Sequence, residues 1–394
     1  MVELNSNSQT LIQKTFRGAP VDRVGLTDSP WSDTLLLWVQ EGYPTRWVHK
    51  KVGQQHWRSD DGQWEDVAEE GDYEEPVPPW QHFQYDMVGI GPWMDYFPLR
   101  DYDETVQETS TWKITRNGAG ASFKYWKHKM GTPEHIDFRM ATREIWESDY
   151  KPHLLYLDPL RIDLEELRTS REEAEASQVW THYGNIFIWE IMRQSMGDIT
   201  LYESLLLDPG WIHDFGQVYT KFYKEHFDYM FANAGLPDGI WLYEDLGYKN
   251  GLFASPKVLQ NLIFPYYQEL VAYFHEKGLP VILHSCGSQA AALELIVEAG
   301  FDGLNPMERK AKDNDPFAFA EIYHDKLVFI GGMDIRIFES NDKEIIKKEV
   351  GYYLDGMKAR GARLLFASDH SITPNVHYDT YRYVLDVYRD HMVY

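Results

Sequence analysis

The sequence predicts an α/β protein, a (β/α)8 TIM barrel with an N-terminal strand-rich cap or insertion, the whole chain 1–394 forming one barrel domain. After about residue 180, short apolar runs alternate with amphipathic stretches, and five of those runs end in polar residues. A parallel sheet wound with helices produces the first pattern; chemistry placed at strand C-termini produces the second.

From about residue 40 to 140 the chain is rich in tryptophan, glycine and acidic residues, and this part forms the expected cap. A hairpin is expected where Thr111-Trp112-Lys113-Ile114-Thr115 and Ala121-Ser122-Phe123-Lys124-Tyr125 flank Asn117-Gly118. Gly71-Asp72-Tyr73-Glu74-Glu75-Pro76-Val77-Pro78-Pro79 is acidic and proline-rich, which predicts an exposed, solvated connection. Two barrel strands are expected from the first half, one of them near Asp86-Met87-Val88-Gly89-Ile90.

In the second half the candidate strands are Asn185-Ile186-Phe187-Ile188-Trp189, Gly239-Ile240-Trp241-Leu242-Tyr243, Pro280-Val281-Ile282-Leu283, Asp302-Gly303-Leu304-Asn305, Leu327-Val328-Phe329-Ile330 and Arg363-Leu364-Leu365-Phe366. A helix from Ser255 to Lys277 is predicted by Ser255-Pro256 at its start, Gly278 at its end, and apolar residues at 259, 262, 263, 266 and 270. A doubly wound open sheet is the competing topology, but no glycine-rich phosphate-binding fingerprint follows any of these strands.

Composition is that of a soluble globular protein, 43% hydrophobic and 25% charged. The net charge of −24 repels phosphate backbones and anionic lipid, so neither nucleic acid nor membrane is an expected partner. A single cysteine makes no internal disulfide, no apolar stretch approaches a membrane span, and Met1-Val2-Glu3-Leu4-Asn5 does not read as a secretion signal. A cytoplasmic location is expected.

That one cysteine, Cys286, stands two residues after His284 at a strand end, so thiol and imidazole point the same way and could converge on one ion. The competing reading is a buried, inert cysteine beside a histidine that satisfies a backbone group. Four other strand ends strengthen the metal reading: Glu244-Asp245, Asn305-Pro306-Met307-Glu308, Gly331-Gly332-Met333-Asp334 and Ser368-Asp369-His370. Glu244, His284 and Cys286 with His370 offer carboxylate, imidazole and thiolate donors suited to zinc. Asn305 and Asp334 read equally as cofactor contacts and as loop caps.

These residues resemble the uroporphyrinogen decarboxylase superfamily, through Arg17-Gly18-Ala19-Pro20-Val21-Asp22-Arg23-Val24, Gly131-Thr132-Pro133-Glu134-His135-Ile136, and residues 243–250, 284–287, 303–308, 331–334 and 368–378. The resemblance implies the same barrel. It is nearer to the zinc-dependent methyltransferases that work with corrinoid proteins than to the decarboxylase, because Val24-Gly25-Leu26-Thr27-Asp28-Ser29 stands where the decarboxylase carries an arginine-rich substrate loop. Methyltransferase relatives carry a His-x-Cys, matched by His284 and Cys286, an acidic residue on an earlier strand, matched by Glu244 with Asp245 as neighbour and rival, and a second cysteine on the last strand. Here that strand end reads Ala367-Ser368-Asp369-His370.

The missing cysteine argues against a methylcobalamin:thiol transferase of the coenzyme M type. The resemblance therefore implies transfer of a methyl group from a methoxylated aromatic to cob(I)alamin on a corrinoid protein, with zinc on Glu244, His284 and Cys286 as Lewis acid. Asp245, Asp369 and His370 are the expected catalytic residues, with His370 on the leaving oxygen, as a fourth ligand, or merely capping the last strand. Expected partners are a corrinoid protein and a small aromatic methyl donor, and a homodimer is compatible with this reading. The 14 tryptophans suit a flat ring but also suit a large core. A metal-free uroporphyrinogen-type decarboxylase and a non-catalytic zinc or tetrapyrrole-binding protein are the other classes, separated by zinc content and turnover.

Overall fold

Strands β1 (Gly25–Leu26), β2 (Met87–Ile90), β3 (Trp180–Ile186), β4 (Gly239–Tyr243), β5 (Val281–His284), β6 (Gly303–Asn305), β7 (Val328–Ile330) and β8 (Arg363–Phe366) form one sheet, ordered β1-β8-β7-β6-β5-β4-β3-β2, in a computed structural model. The pairs β1·β8, β3·β4, β4·β5, β5·β6 and β7·β8 run parallel. With helices following the strands, this is the nearly closed (β/α)8 barrel that the sequence predicts. Residues 7–60, 62, 64–127 and 131–394 are described, so the start of the chain, read above for a signal, lies outside them. Among them no helix is long and apolar enough to cross a membrane.

Packing divides the described chain into two units, one of residues 7–87 and 315–394, the other of residues 88–127 and 131–314. In the first, β1 joins the residue that precedes β2 through Asp86. The Asp86 amide donates to the Leu26 carbonyl at 2.7 Å, and the Leu26 amide donates back to Asp86 Oδ2 at 2.8 Å. The carboxylate also accepts from Arg23 at 2.6 and 2.7 Å and from the Ser8 hydroxyl at 2.7 Å. A two-residue strand has no period to read, which is why β1 was not placed from sequence.

The same unit corrects the expected loop at residues 71–79. Gly71–Pro76 is a strand antiparallel to Thr45–Lys50, and Glu75 is buried between Arg46 at 3.1 Å and Lys50 at 3.1 Å. Opposed charges across the pair supply the register that the acidic run by itself lacks.

In the second unit, Glu104–Glu108, Trp112–Arg116, Ala121–Trp126 and Glu134–Phe138 make a four-stranded antiparallel sheet that contains the expected hairpin. Two element boundaries differ from expectation. β3 ends at Ile186, and Ile188–Leu207 is a helix, because the buried strand is the mixed run Trp180-Thr181-His182-Tyr183-Gly184-Asn185-Ile186. The predicted helix at residues 255–277 is two, Pro256–Leu262 and Phe264–Glu276. Pro265 has no N–H for the Asn261 carbonyl, and its ring crowds that turn, so the helix breaks at Ile263.

Removing the Asp86 carboxylate leaves a largely buried Arg23 guanidinium without its partner. Asp86→Ala should lower unfolding free energy by about 3–5 kcal/mol, measured as a shift in denaturant midpoint. A shift no larger than that of an exposed ion-pair mutant would show that the placement of β1 does not depend on it.

Candidate metal centre

The loops after β4 and β5 build the centre. Register pairs Tyr243 with His284 and His284 with Asn305, so the three side chains share one face. His284 Nδ1–H donates to Asn305 Oδ1 at 2.6 Å, which leaves the lone pair on Nε2. Nε2 lies 3.4 Å from Cys286 Sγ and 3.8 Å from Asp245 Oδ1. Donor atoms of Asp245, His284 and Cys286 all fall within 4.8 Å of one another, close enough for one ion to bind all three. The Cys286 amide donates to Asp245 Oδ1 at 2.7 Å and so aims the carboxylate at the loop that carries the thiol.

This loop is stapled on several sides. Ser285 Oγ accepts from the Leu246 amide at 3.0 Å, and the Gly287 amide donates to Glu308 Oε2 at 2.9 Å. The Asn314 side chain donates to the Gly287 carbonyl at 2.8 Å and accepts from the Gln289 amide at 2.9 Å. Gly287 has φ +75°, and a Cβ there would lie 2.5 Å from the Gly247 backbone. Only glycine permits both that conformation and that approach. Burial, together with the charges of Asp245 and Glu308, pushes the Cys286 thiol well above its ordinary range; a bound cation would reverse that balance. Thiolate, imidazole and carboxylate are a donor set that zinc accepts, and three protein ligands leave a coordination position for substrate.

The structure differs from the sequence reading at the carboxylate. Glu244, expected as a ligand, is fully buried and turned to the helix Ile188–Leu207. Its oxygens accept from the Phe187 amide at 2.5 Å, the Trp189 amide at 2.7 Å and the Tyr267 hydroxyl at 2.5 Å. Phe187 has no capping side chain of its own, so Glu244 satisfies the helix start from β4. Burial raises its carboxyl to about 8, opposed by these three donors. Asp245, the neighbour, takes the position expected of Glu244.

Asn305, read as a cofactor contact or cap, is the hydrogen-bond partner that fixes His284. Sequence reading gave no role to Glu308, which holds Gly287, or to Glu190, whose carboxyl is raised to about 7 by burial, against the Arg193 guanidinium 2.7 Å away and with the Asp245 charge. Glu190 was not legible because its helix start was read as the end of a strand.

In the other unit, Asp334 caps the helix Ile335–Glu339 through the Arg336 amide at 3.0 Å and pairs with the Arg336 guanidinium. Its loop-cap reading is the one these contacts express. Asp369, expected to be catalytic, is fully buried and accepts from the Ile335 amide at 2.9 Å, which makes it an anchor of the same helix start. His370 sets Nδ1 3.0 Å from the Ser371 carbonyl, with its ring edge-on to Trp31 at 5.2 Å. Beside it, Asp28 accepts from the Ser368 hydroxyl at 2.7 Å, and burial pushes its carboxyl up to about 6.

The two adjacent carboxylates should separate cleanly on mutation. Asp245→Asn should lose zinc with little change in stability, whereas Glu244→Gln should lose about 1–3 kcal/mol of stability while the folded protein keeps its metal. Elemental analysis beside a thermal melt reads both, and the reverse order would return the ligand role to Glu244. Asn305→Ala, which frees the His284 ring, should weaken zinc binding by about 10–100-fold in a chelator competition; unchanged affinity would make that hydrogen bond incidental.

Residues 200–391 match the family model described as uroporphyrinogen decarboxylase (URO-D). No curated protein matches the chain in sequence. Among solved structures, a methyltransferase from Methanosarcina mazei shares the fold over 98% of this chain and 98% of its own, at TM-score 0.63 and 13% identity. A putative vitamin-B12 independent methionine synthase from Listeria monocytogenes aligns over 60% of this chain and 70% of its own, at TM-score 0.39 and 16% identity. Residues 200–391, just under half of the chain, supply β4 to β8 and every donor of the candidate centre, and this segment is similar to the uroporphyrinogen decarboxylase family.

Proposed function

We propose that the protein is a zinc-dependent methyltransferase that moves a methyl group from an aryl methyl ether to a cobalt(I) corrinoid carried by a partner protein. The observation that carries this reading is the convergence of Asp245, His284 and Cys286, with the His284 tautomer set by Asn305 so that Nε2 is the free donor. Zinc held there would act as a Lewis acid on the ether oxygen, stabilising the charge that develops on a phenolate leaving group. The O–CH3 bond breaks with its electron pair left on the aryl oxygen, and the pair for the new bond comes from the reduced corrinoid substrate.

The chain's own residues prepare that step. Asn305 orients the imidazole, the Cys286 amide orients Asp245, and the Glu308 and Asn314 contacts hold the loop to one conformation. Such preorganisation lowers the barrier because the groups need not rearrange as charge develops. The like-folded Methanosarcina protein being a methyltransferase agrees with this reading. A decarboxylase of polycarboxylate porphyrinogens is less well supported, since Arg23, at the start of the segment where the decarboxylase has its arginine-rich loop, is committed to Asp86.

Purified protein should contain about one zinc per chain and should methylate cob(I)alamin from at least one methoxylated aromatic, followed by the corrinoid absorbance. Cys286→Ser should abolish both. Porphyrinogen turnover without zinc would overturn the proposal, and transfer from methylcobalamin to thiols alone would replace the donor. For His370→Ala, full zinc with lost turnover would give His370 the expected substrate role; lost zinc would make it a ligand, and no change in either would end its claim.

A further inference from the structure

The outer face of β3 packs on the helix Pro209–Ala234, where Tyr183 stacks on Phe231 at 6.1 Å and Asn185 accepts from Tyr223 at 3.3 Å. Strand alternation and register then turn His182, Gly184, Trp241, Tyr243 and His284 to the inner face. Their rings form a continuous run. His182 lies 4.9 Å from Trp241, Trp241 5.9 Å from Tyr243, and Tyr243 5.1 Å from the His284 imidazole. Trp93 closes on Tyr243 at 5.0 Å. Gly184 makes this possible, because a Cβ there would lie 2.9 Å from Trp93 Nε1 and 3.1 Å from Tyr243 Cε2.

Two polar atoms in this wall, His182 Nδ1 and Trp241 Nε1, have no hydrogen-bond partner among the described residues, and both side chains belong to residues only 7% exposed. A buried polar atom left unpaired is uncommon in native interiors. An indole N–H only donates, so its partner must be an acceptor and not a metal. Burial holds the His182 imidazole neutral, its pKa lowered to about 3, and no lysine or arginine belongs to the run.

We propose that this inner face seats the aromatic ring of the methyl donor, and that the donor carries an uncharged hydrogen-bond acceptor that takes the Trp241 indole N–H. The ring would lie along the aromatic run that ends at His284, a ligand of the candidate centre. This rests on the methyl-transfer reading above and narrows its substrate class to neutral, acceptor-substituted aryl methyl ethers rather than aryl carboxylates.

Calorimetric titration of the zinc-loaded protein with four probes tests it. Veratrole, with a second methoxy oxygen, should bind about tenfold tighter than anisole, the value of one added hydrogen bond to a buried donor. Anisate should bind more weakly than veratrole, and the non-planar cyclohexyl methyl ether more weakly than anisole. Trp241→Phe should erase the preference of veratrole over anisole. Equal binding of veratrole and anisole to the unaltered protein, or a preference that survives Trp241→Phe, would overturn the proposal without relying on any one variant folding. Trp241-dependent veratrole binding with no methyl transfer from any ether would overturn the proposed function and leave this seat standing. Methyl transfer from aryl ethers with a KM indifferent to Trp241→Phe would do the reverse.

Discussion

Asp86 accepts from Arg23, from the Ser8 hydroxyl and from the Leu26 amide, and its own amide returns a bond to Leu26, so one buried carboxylate ties the first barrel strand to the chain entering the second. A buried ion pair adds little net stability over an apolar substitute, because desolvation offsets the Coulombic gain. Its effect here is geometric. β1 has only two residues and offers no hydrophobic period of its own, so its position is set by bonds that accept one register. Strand-end loops converge only when the strands beneath them are ordered around a ring, and that ordering is what Asp86 secures in its part of the chain.

The pair Glu244 and Asp245 shows how sharply position divides identical chemistry. Both residues follow β4 and both carry a carboxyl. Glu244 reaches back into an apolar interior and is tolerated there because two amides and a tyrosine hydroxyl meet its oxygens. Asp245, one residue on, meets the Cys286 amide and faces the imidazole of His284. The helix start that Glu244 satisfies has no cap of its own, so exchanging the two roles would leave buried amides unpaired.

A cluster of donors becomes a centre only if its members are held. His284 is fixed by Asn305 across neighbouring strands, and Cys286 rides on a loop that Glu308, Asn314 and the close approach of Gly287 to Gly247 confine. The same strands continue inward as a row of aromatic rings with two polar atoms that have no hydrogen-bond partner among the described residues. Candidate metal donors at the strand ends and rings below them would suit the proposed reaction, in which a planar group must be positioned while charge develops on one of its oxygens.

Much of this was legible in the chain. Runs such as Gly239-Ile240-Trp241-Leu242-Tyr243 and Arg363-Leu364-Leu365-Phe366 are apolar, brief and followed by polar residues, and they are strands to the residue. The pair His284 and Cys286 was legible as a His-x-Cys at a strand end, but Cys286 lies in the loop beyond β5, and its approach to the imidazole rests on the contacts that hold that loop. β3 was misplaced because its interior holds histidine, asparagine and glycine, whose burial depends on partners from other elements. The buried Glu75 strand was taken for a solvated loop for a related reason, since Arg46 and Lys50 lie far away in sequence. The choice of Asp245 over Glu244 was closed to the sequence. Local pattern fixes which residue types reach a strand end, but which of two adjacent carboxyls faces the imidazole is decided by the distant donors that claim the other one, and only the tertiary structure brings those together.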